Sequence, residues 1–370
     1  MRDASNKFET VRVAHGGRVY EAARRWGVAS EEVVDFSANI NPLGPPPGTL
    51  AALENCLAPV SLRTYPDPHD FVAALADKHS VAPEEIVVGA GSAAVMFAVL
   101  RAVRPARVIV LEPAFSEYYR ACGAVEAEVK SWRLMEENGF APDFDGLARA
   151  IEARQCDLVI LNSPHNPTGR LYEREGLLAL IGVAEANGVV VMLDEAFIDY
   201  TPLASLLHLA TAKSRLIALR SLTKFYAMPG LRIGYAVCAA RLAATIREQI
   251  EAWPVSTVAL EAGRAALSEK EYETRTRRIN AQAREEFAAA LREIGLSVFP
   301  SAANFLLTRL PHGSGAELAR SLEPSLILIR QCDSFGGLGD AYIRLAVRSR
   351  EDNLRLVSLI ETWLKWSERC

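Results

Sequence analysis

The sequence predicts an α/β protein: a larger domain with a mostly parallel sheet, and a smaller α+β domain beside it. Three observations carry this reading. Short, continuous apolar runs recur between about residues 85 and 238, with helix-like segments among them. These runs do not alternate with polar residues, so both faces of each strand are expected to be buried. After about residue 254 the chain turns to long charged helices and three further short strands.

In order, 85-EIVVGAG-91 reads as a strand ending in glycine, and 92-SAAVMFAVLRAV-103 as a helix. The runs 107-RVIVLEP-113 and 157-DLVILNSP-164 are strands. In 173-EREGLLALIGVAEANG-188, Leu177, Leu178, Ile181 and Ala184 have the spacing of a helix face. Strands 189-VVVMLDE-195, 215-RLIALRS-221 and 234-GYAVC-238 complete the series. Strands separated by helices indicate a layered α/β fold. The segment 259–295 reads as helical with a break, followed by strands at 304–309, 325–330 and 342–348. A last helix, 351–366, has Leu354, Leu356, Leu359 and Trp363 on or near one face. The proline-rich 42-PLGPPPG-48 reads as a rigid connection. The expected organisation is an arm and part of the small domain in 1–45, the large domain in 46–254 and the small domain in 255–370.

Composition narrows the function classes. Of 370 residues, 50% are hydrophobic and 23% charged, as in a globular protein, and the net charge is −4. That charge argues against a nucleic-acid binder working through bulk positive charge, but leaves room for an anion site built from a few arginines. Six cysteines, at 56, 122, 156, 238, 332 and 370, form no CxxC pair and no zinc-like cluster. Isolated cysteines fit a reducing cytosol. No signal-peptide core or membrane-length apolar run is present. The expectation is a cytoplasmic protein that binds neither membrane nor nucleic acid and calls for no metal.

In open parallel sheets, ligands bind beyond the carboxyl ends of the strands. Gly89, Ala90, Gly91 and Ser92 occupy such an end, where free amides suit a phosphate. An ordinary strand-to-helix turn has the same composition. Asn166 in 162-NSPHNPTG-169, then Asp194, then Lys224 in 220-RSLTKFYAMPG-230 follow three further strands. Singly, each has a plain alternative as a turn former, a helix cap or a snorkelling lysine. Together they meet the requirements of pyridoxal phosphate. An aspartate can hold a pyridinium nitrogen, an asparagine a phenolate oxygen, and a lysine can form a Schiff base. Ser221, Thr223 and Arg232, with the turn at 91–92, can hold a phosphate monoester. An imine at Lys224 also explains a lysine in apolar company.

The ordered set Gly91-Ser92, Asn166-Pro167-Thr168-Gly169, Asp194-Glu195-Ala196, Ser221-Leu222-Thr223-Lys224 and Gly230-Leu231-Arg232-Ile233-Gly234 resembles the fold-type I pyridoxal-phosphate enzymes of the aminotransferase superfamily. The resemblance runs from about residue 35 to the C-terminus. It implies a seven-stranded sheet, a small domain made from both chain ends, and a homodimer with shared active sites. It implies pyridoxal 5'-phosphate as cofactor, with Lys224 as the Schiff-base lysine, Asp194 at the pyridine nitrogen and Asn166 at the phenolic oxygen. Phe115 is to stack on the ring. Gly91, Ser92, Ser221, Thr223 and Arg232 are to bind the cofactor phosphate, and Arg344 the substrate α-carboxylate. Phe197 departs from the tyrosine common in relatives, so its hydroxyl is missing unless a residue such as Tyr226 supplies one.

Two regions bear on the reaction. Tyr65 in 62-LRTYPDP-68 and Arg330 in 325-SLILIRQCDSFGGLG-339 resemble the segments by which histidinol-phosphate aminotransferases bind a substrate phosphate, the tyrosine coming from the neighbouring subunit. A guanidinium suits a phosphate through paired donors. The arm 14-AHGG-17 with His15, the segment 35-DFSANINPLGPP-46 with Asn39, and 344-RLAVRSREDN-353 resemble threonine-phosphate decarboxylases of cobalamin biosynthesis. The expected reaction is decarboxylation of L-threonine O-3-phosphate, with His15, Asn39, Tyr65, Asn166, Arg330 and Arg344 at the substrate. Transamination of histidinol phosphate is the alternative. A non-catalytic regulator of the same fold is a third reading, with no segment left over for a DNA-binding domain.

Overall fold

The computed structural model describes residues 15–56 and 63–367; Leu62, Cys370 and the arm before His15 lie outside the described residues. The strands are β1 (Val34–Asp35), β2 (Ile86–Gly89), β3 (Arg107–Glu112), β4 (Glu128–Arg133), β5 (Leu158–Asn162), β6 (Val190–Asp194), β7 (Leu216–Ser221), β8 (Gly234–Val237), β9 (Ser297–Val298), β10 (Phe305–Arg309), β11 (Ile327–Leu328), β12 (Arg330–Gln331) and β13 (Tyr342–Ala346). Seven of them form the central sheet in the order β2-β8-β7-β6-β5-β3-β4. Its pairs are parallel except where β8 lies antiparallel between β2 and β7.

The continuous apolar runs are explained by what covers the sheet. Successive residues of a strand point to opposite faces. Ile109, Val159, Val191 and Ala218 enter one buried cluster, while Val108, Leu158, Met192 and Ile217 enter another. Both faces are dry, so no position favours a polar residue. Strand β4 was not anticipated. It sits at the sheet edge, and Glu128, Lys130, Ser131 and Arg133 are exposed, so it carries no apolar run.

The predicted helix at 173–188 spans Arg174–Asn187 and ends at Gly188, whose φ of 73° is the left-handed cap glycine adopts freely. The segment 259–295 breaks into helices Thr257–Leu267 and Lys270–Glu293. Two expectations need correcting. The proline-rich connection ends at Pro46, because Pro47 opens helix Pro47–Asn55 in the first turn, where its missing N–H is no loss. The single strand expected at 325–330 divides. Strand β11 pairs parallel with β1, whereas β12 pairs antiparallel with β13.

A third cluster lies beneath the β12-β13-β10-β9 sheet and includes Phe287, Leu306, Leu345 and Leu356. Phe36, just after β1, is fully buried in it, so the N-terminal part of the chain helps to build this unit. Helix Thr257–Leu267 belongs instead to the central-sheet cluster, with Phe71 and Leu75. Helix Lys270–Glu293 joins the two, Tyr272 packing with the central cluster and Phe287 with the third. No helix among the described residues is long and apolar enough to cross a membrane.

Candidate active site

The carboxyl ends of β5, β6 and β7 and the start of helix Ser92–Val103 surround a cavity of about 420 Å³. Gly91, Ser92, Phe115, Asn166, Asp194, Ser221, Thr223, Lys224 and Arg232 line it, as do His15, Asn39, Arg330 and Arg344. Tyr65 does not. It is 73% exposed and stacks on Trp253, ring centroids 4.1 Å apart.

One end of the cavity is built for an anion. Gly91 precedes the helix with φ 87°, and a Cβ there would lie 2.9 Å from Arg232 Nη2, so the guanidinium sits close against the turn. A Cβ on Gly234 would lie 2.4 Å from the Ser92 nitrogen, so the helix start packs onto β8 only because that residue is glycine. The Ser221 and Thr223 hydroxyls are 2.8 Å apart. A helix start, two hydroxyls and a guanidinium together suit a phosphate dianion.

Asp194 lies at the end of β6. Tyr118 donates its hydroxyl to Oδ2 at 2.7 Å, and the Ala196 N–H donates to Oδ1 at 2.9 Å. Burial pushes the Asp194 pKa up, while Tyr118, Ala196 and Lys224 pull it back. A buried carboxylate of this kind is suited to a cationic partner such as a protonated ring nitrogen. The neighbouring strand ends are tied together by Asn162, which donates to the Asp194 carbonyl at 2.8 Å and accepts the Asn166 N–H at 2.7 Å.

Lys224 follows β7. Its backbone carbonyl accepts the Asn41 N–H at 3.1 Å and the Ala227 N–H at 3.3 Å, which fixes the turn. Burial lowers its pKa to about 8, with Arg344 and Arg232 acting in the same direction and Asp35 and Asp194 opposing. A sizeable fraction of the amine is therefore neutral near physiological pH and available as a nucleophile.

At the open side, Arg330 and Arg344 face each other across β12 and β13. Arg344 donates from Nη2 to the Ser37 carbonyl at 2.9 Å and from Nη1 to Asn166 Oδ1, and its guanidinium lies 5.4 Å from the Phe305 ring centroid. Its Nε has no partner among the described residues. Burial foremost, with Arg330 beside it, lowers the Arg344 pKa to about 10. Arg330 donates to Ser334 Oγ at 2.7 Å and lies over Phe335. Asn39 is 3% exposed, and its Oδ1 has no partner among the described residues. Both groups line the cavity, where a polar ligand or water can meet them.

Tyr226 does not supply the hydroxyl that Phe197 lacks. It is buried outside the cavity lining and donates to Glu273 at 2.7 Å, while Phe197 packs on Phe305. The tyrosine hydroxyl that does reach this region is that of Tyr118, and it is held by Asp194. Tyr118, Glu117 and Asn162 were not singled out from sequence. Tyr118 was within reach, since it lies three residues after Phe115 at a helix start and their rings meet edge to face at 5.7 Å. Glu117 was not, because its partner His15 is 102 residues away.

Comparison with known proteins adds a family. The model for the aminotransferase class I and II family matches residues 31–360. Threonine-phosphate decarboxylase from Salmonella typhimurium is 36% identical over 356 residues, covering 95% of this chain and 96% of that protein. Among solved structures, histidinol-phosphate aminotransferase from Clostridium acetobutylicum matches with a TM-score of 0.84 at 28% identity, covering 89% of this chain and 98% of the other. L-threonine-O-3-phosphate decarboxylase from Porphyromonas gingivalis matches with a TM-score of 0.79 at 28% identity, covering 90% and 100%.

Proposed function

Because the chain belongs to the aminotransferase class I and II family, we propose that it is a pyridoxal 5'-phosphate-dependent decarboxylase. Its substrate is L-threonine O-3-phosphate and its product (R)-1-amino-2-propanol O-2-phosphate, for cobalamin biosynthesis. The relative from Salmonella typhimurium, named threonine-phosphate decarboxylase, supports this. The observation that carries it is the presence of two separate anion sites in one cavity. One is the cradle of Gly91, Ser92, Ser221, Thr223 and Arg232; the other is the facing pair Arg330 and Arg344.

The residues present fit the cofactor. The cradle would hold its phosphate, Asp194 its ring nitrogen, Asn166 its phenolic oxygen and Phe115 a ring face, with Lys224 as the amine for its aldehyde. Bound there, the cofactor supplies an electron sink for the pair released when carbon dioxide leaves. The protein's own work is orientation. Arg344, with His15 and Asn39, holds the substrate carboxylate, and Arg330 holds the substrate phosphate through paired donors. Lys224, with its pKa near 8, then delivers a proton from Nζ to the substrate Cα.

Tyr65 is assigned to the phosphate of the neighbouring subunit in a cytoplasmic homodimer. Its exposure, with that of Trp253, supports this reading, since two stacked aromatics in water form an apolar patch suited to burial by a second copy. Transamination of histidinol phosphate is the second reading, favoured by the likeness to the Clostridium acetobutylicum aminotransferase. Purified protein given threonine phosphate without a keto acid should release carbon dioxide in stoichiometric excess over enzyme. Glutamate formation from 2-oxoglutarate and histidinol phosphate, without carbon dioxide, would overturn the decarboxylase.

A further inference from the structure

Glu117 is a buried carboxylate in a cavity whose other charged lining residues, apart from Asp194, are cations: Lys224, Arg120, Arg232, Arg330 and Arg344. For a site that takes an anionic substrate, an acidic side chain is an electrostatic liability. Its contacts offset it. Arg120 Nη1 donates to Oε1 and Oε2, both at 2.9 Å, and His15 Nε2 lies 2.9 Å from Oε1. Arg120, three residues on, completes a local helix pair whose arginine is half-exposed and worth little to stability. The His15 contact is different in kind, because it joins the N-terminal arm to the residue pair beside Phe115. The His15 and Phe115 ring centroids are 5.8 Å apart.

The arm is also seated on Ser37. The Gly17 N–H donates to Ser37 Oγ at 2.8 Å, and a Cβ on Gly16 would lie 2.2 Å from the Ser37 carbonyl oxygen. That same carbonyl accepts Arg344 Nη2. The arm is therefore pinned at two points, one beside Phe115 and one at the carbonyl that holds Arg344. An ionised carboxylate only accepts hydrogen bonds, so it requires a proton on His15 Nε2 and leaves Nδ1 as the ring's remaining polar atom.

We propose that Glu117 is a positioning residue: fixed by Arg120, it holds the His15 ring over the cavity with both nitrogens protonated, so that Nε2–H donates to Glu117, Nδ1–H donates to the substrate anion and the arm stays seated on Ser37. This rests on the substrate reading above only for the identity of the anion. The test is Glu117→Gln in the full-length holoenzyme, with two readouts. Amide exchange by mass spectrometry should speed up in the peptide covering residues 15–20, leaving the rest of the chain as in wild type. The KM for threonine phosphate should rise about tenfold, the size of one lost charge-assisted hydrogen bond, with kcat falling less than KM rises. The double variant Glu117→Gln/His15→Gln should have a KM no higher than His15→Gln alone, because both changes remove one contact. Unchanged exchange in the arm, or additive KM effects, overturns the proposal. A wild-type enzyme that does not decarboxylate threonine phosphate would sink the proposed function instead, leaving the exchange data to judge Glu117.

Discussion

Arg330 stands directly opposite Arg344 on antiparallel strands, and neither has an ion-pair partner among the described residues. Like charges across a strand pair destabilise it, and burying one of them adds to the cost. The surroundings only partly offset this: Arg344 has a carbonyl, an amide oxygen and the Phe305 face, and Arg330 has Ser334 and the Phe335 face. The pair is poised for an anion. Arg330→Met should therefore raise the substrate KM by about tenfold or more without lowering the melting temperature. Steady-state kinetics and a thermal melt check this. A lowered melting temperature with an unchanged KM would make Arg330 structural.

Tyr118→Phe removes one of the two donors to the Asp194 carboxylate. Burial already raises the Asp194 pKa and the Tyr118 bond opposes that, so the variant moves it further up. A neutral acid holds a ring cation less well. Cofactor affinity should fall about tenfold, the equivalent of roughly 1.4 kcal/mol. Titration of the apoenzyme with pyridoxal 5'-phosphate, followed by absorbance, measures it.

Lys224 gives a signed pH effect. Its folded pKa, about 8, lies below its ordinary 10.5. Between these values the unfolded chain holds a proton that the folded apoenzyme lacks, so this group makes stability rise with pH across that window. Apo Lys224→Met should lack that rise, a difference that denaturant titration at several pH values detects. Lys224→Ala should lose the visible cofactor band and lower kcat by roughly 10²–10⁴-fold.

Gly91→Ala places a side chain at φ 87° and a Cβ 2.9 Å from Arg232 Nη2. With ψ 159° this is a backbone region that only glycine adopts readily, so the strain costs about 1–3 kcal/mol, and the displaced guanidinium leaves the phosphate cradle. Faster cofactor loss on dialysis than in wild type is the expected result.

If Tyr65 serves the neighbouring site, inactive Lys224→Ala and impaired Tyr65→Ala chains should complement on mixing. Half of the randomly paired dimers are mixed, and each has one intact site of two. Recovery should approach about a quarter of wild-type activity. No recovery after verified subunit exchange would place Tyr65 outside the shared site.

Much of the fold was legible because it depends on local pattern. The strands from Ile86 to Val237, β4 apart, appear as continuous apolar runs, since both faces of the sheet are covered. Asp194, Asn166 and Lys224 stood out because each follows such a run, where a parallel sheet opens toward its ligand. Strand β4 was illegible for the opposite reason: at an exposed edge, no burial demands apolar residues.

The sequence by itself determined the layered sheet, the family resemblance and the residues suited to a pyridoxal cofactor, because periodicity and motif order are properties of neighbouring residues. Tertiary structure alone decided which distant groups meet. The split of β11 from β12 sets the register that faces Arg330 with Arg344. Packing of the arm on Ser37 brings His15 to Glu117, and burial leaves the Asn39 oxygen without a partner among the described residues. Those relations depend on register and on contacts between segments far apart in the chain, and local pattern carries no record of either.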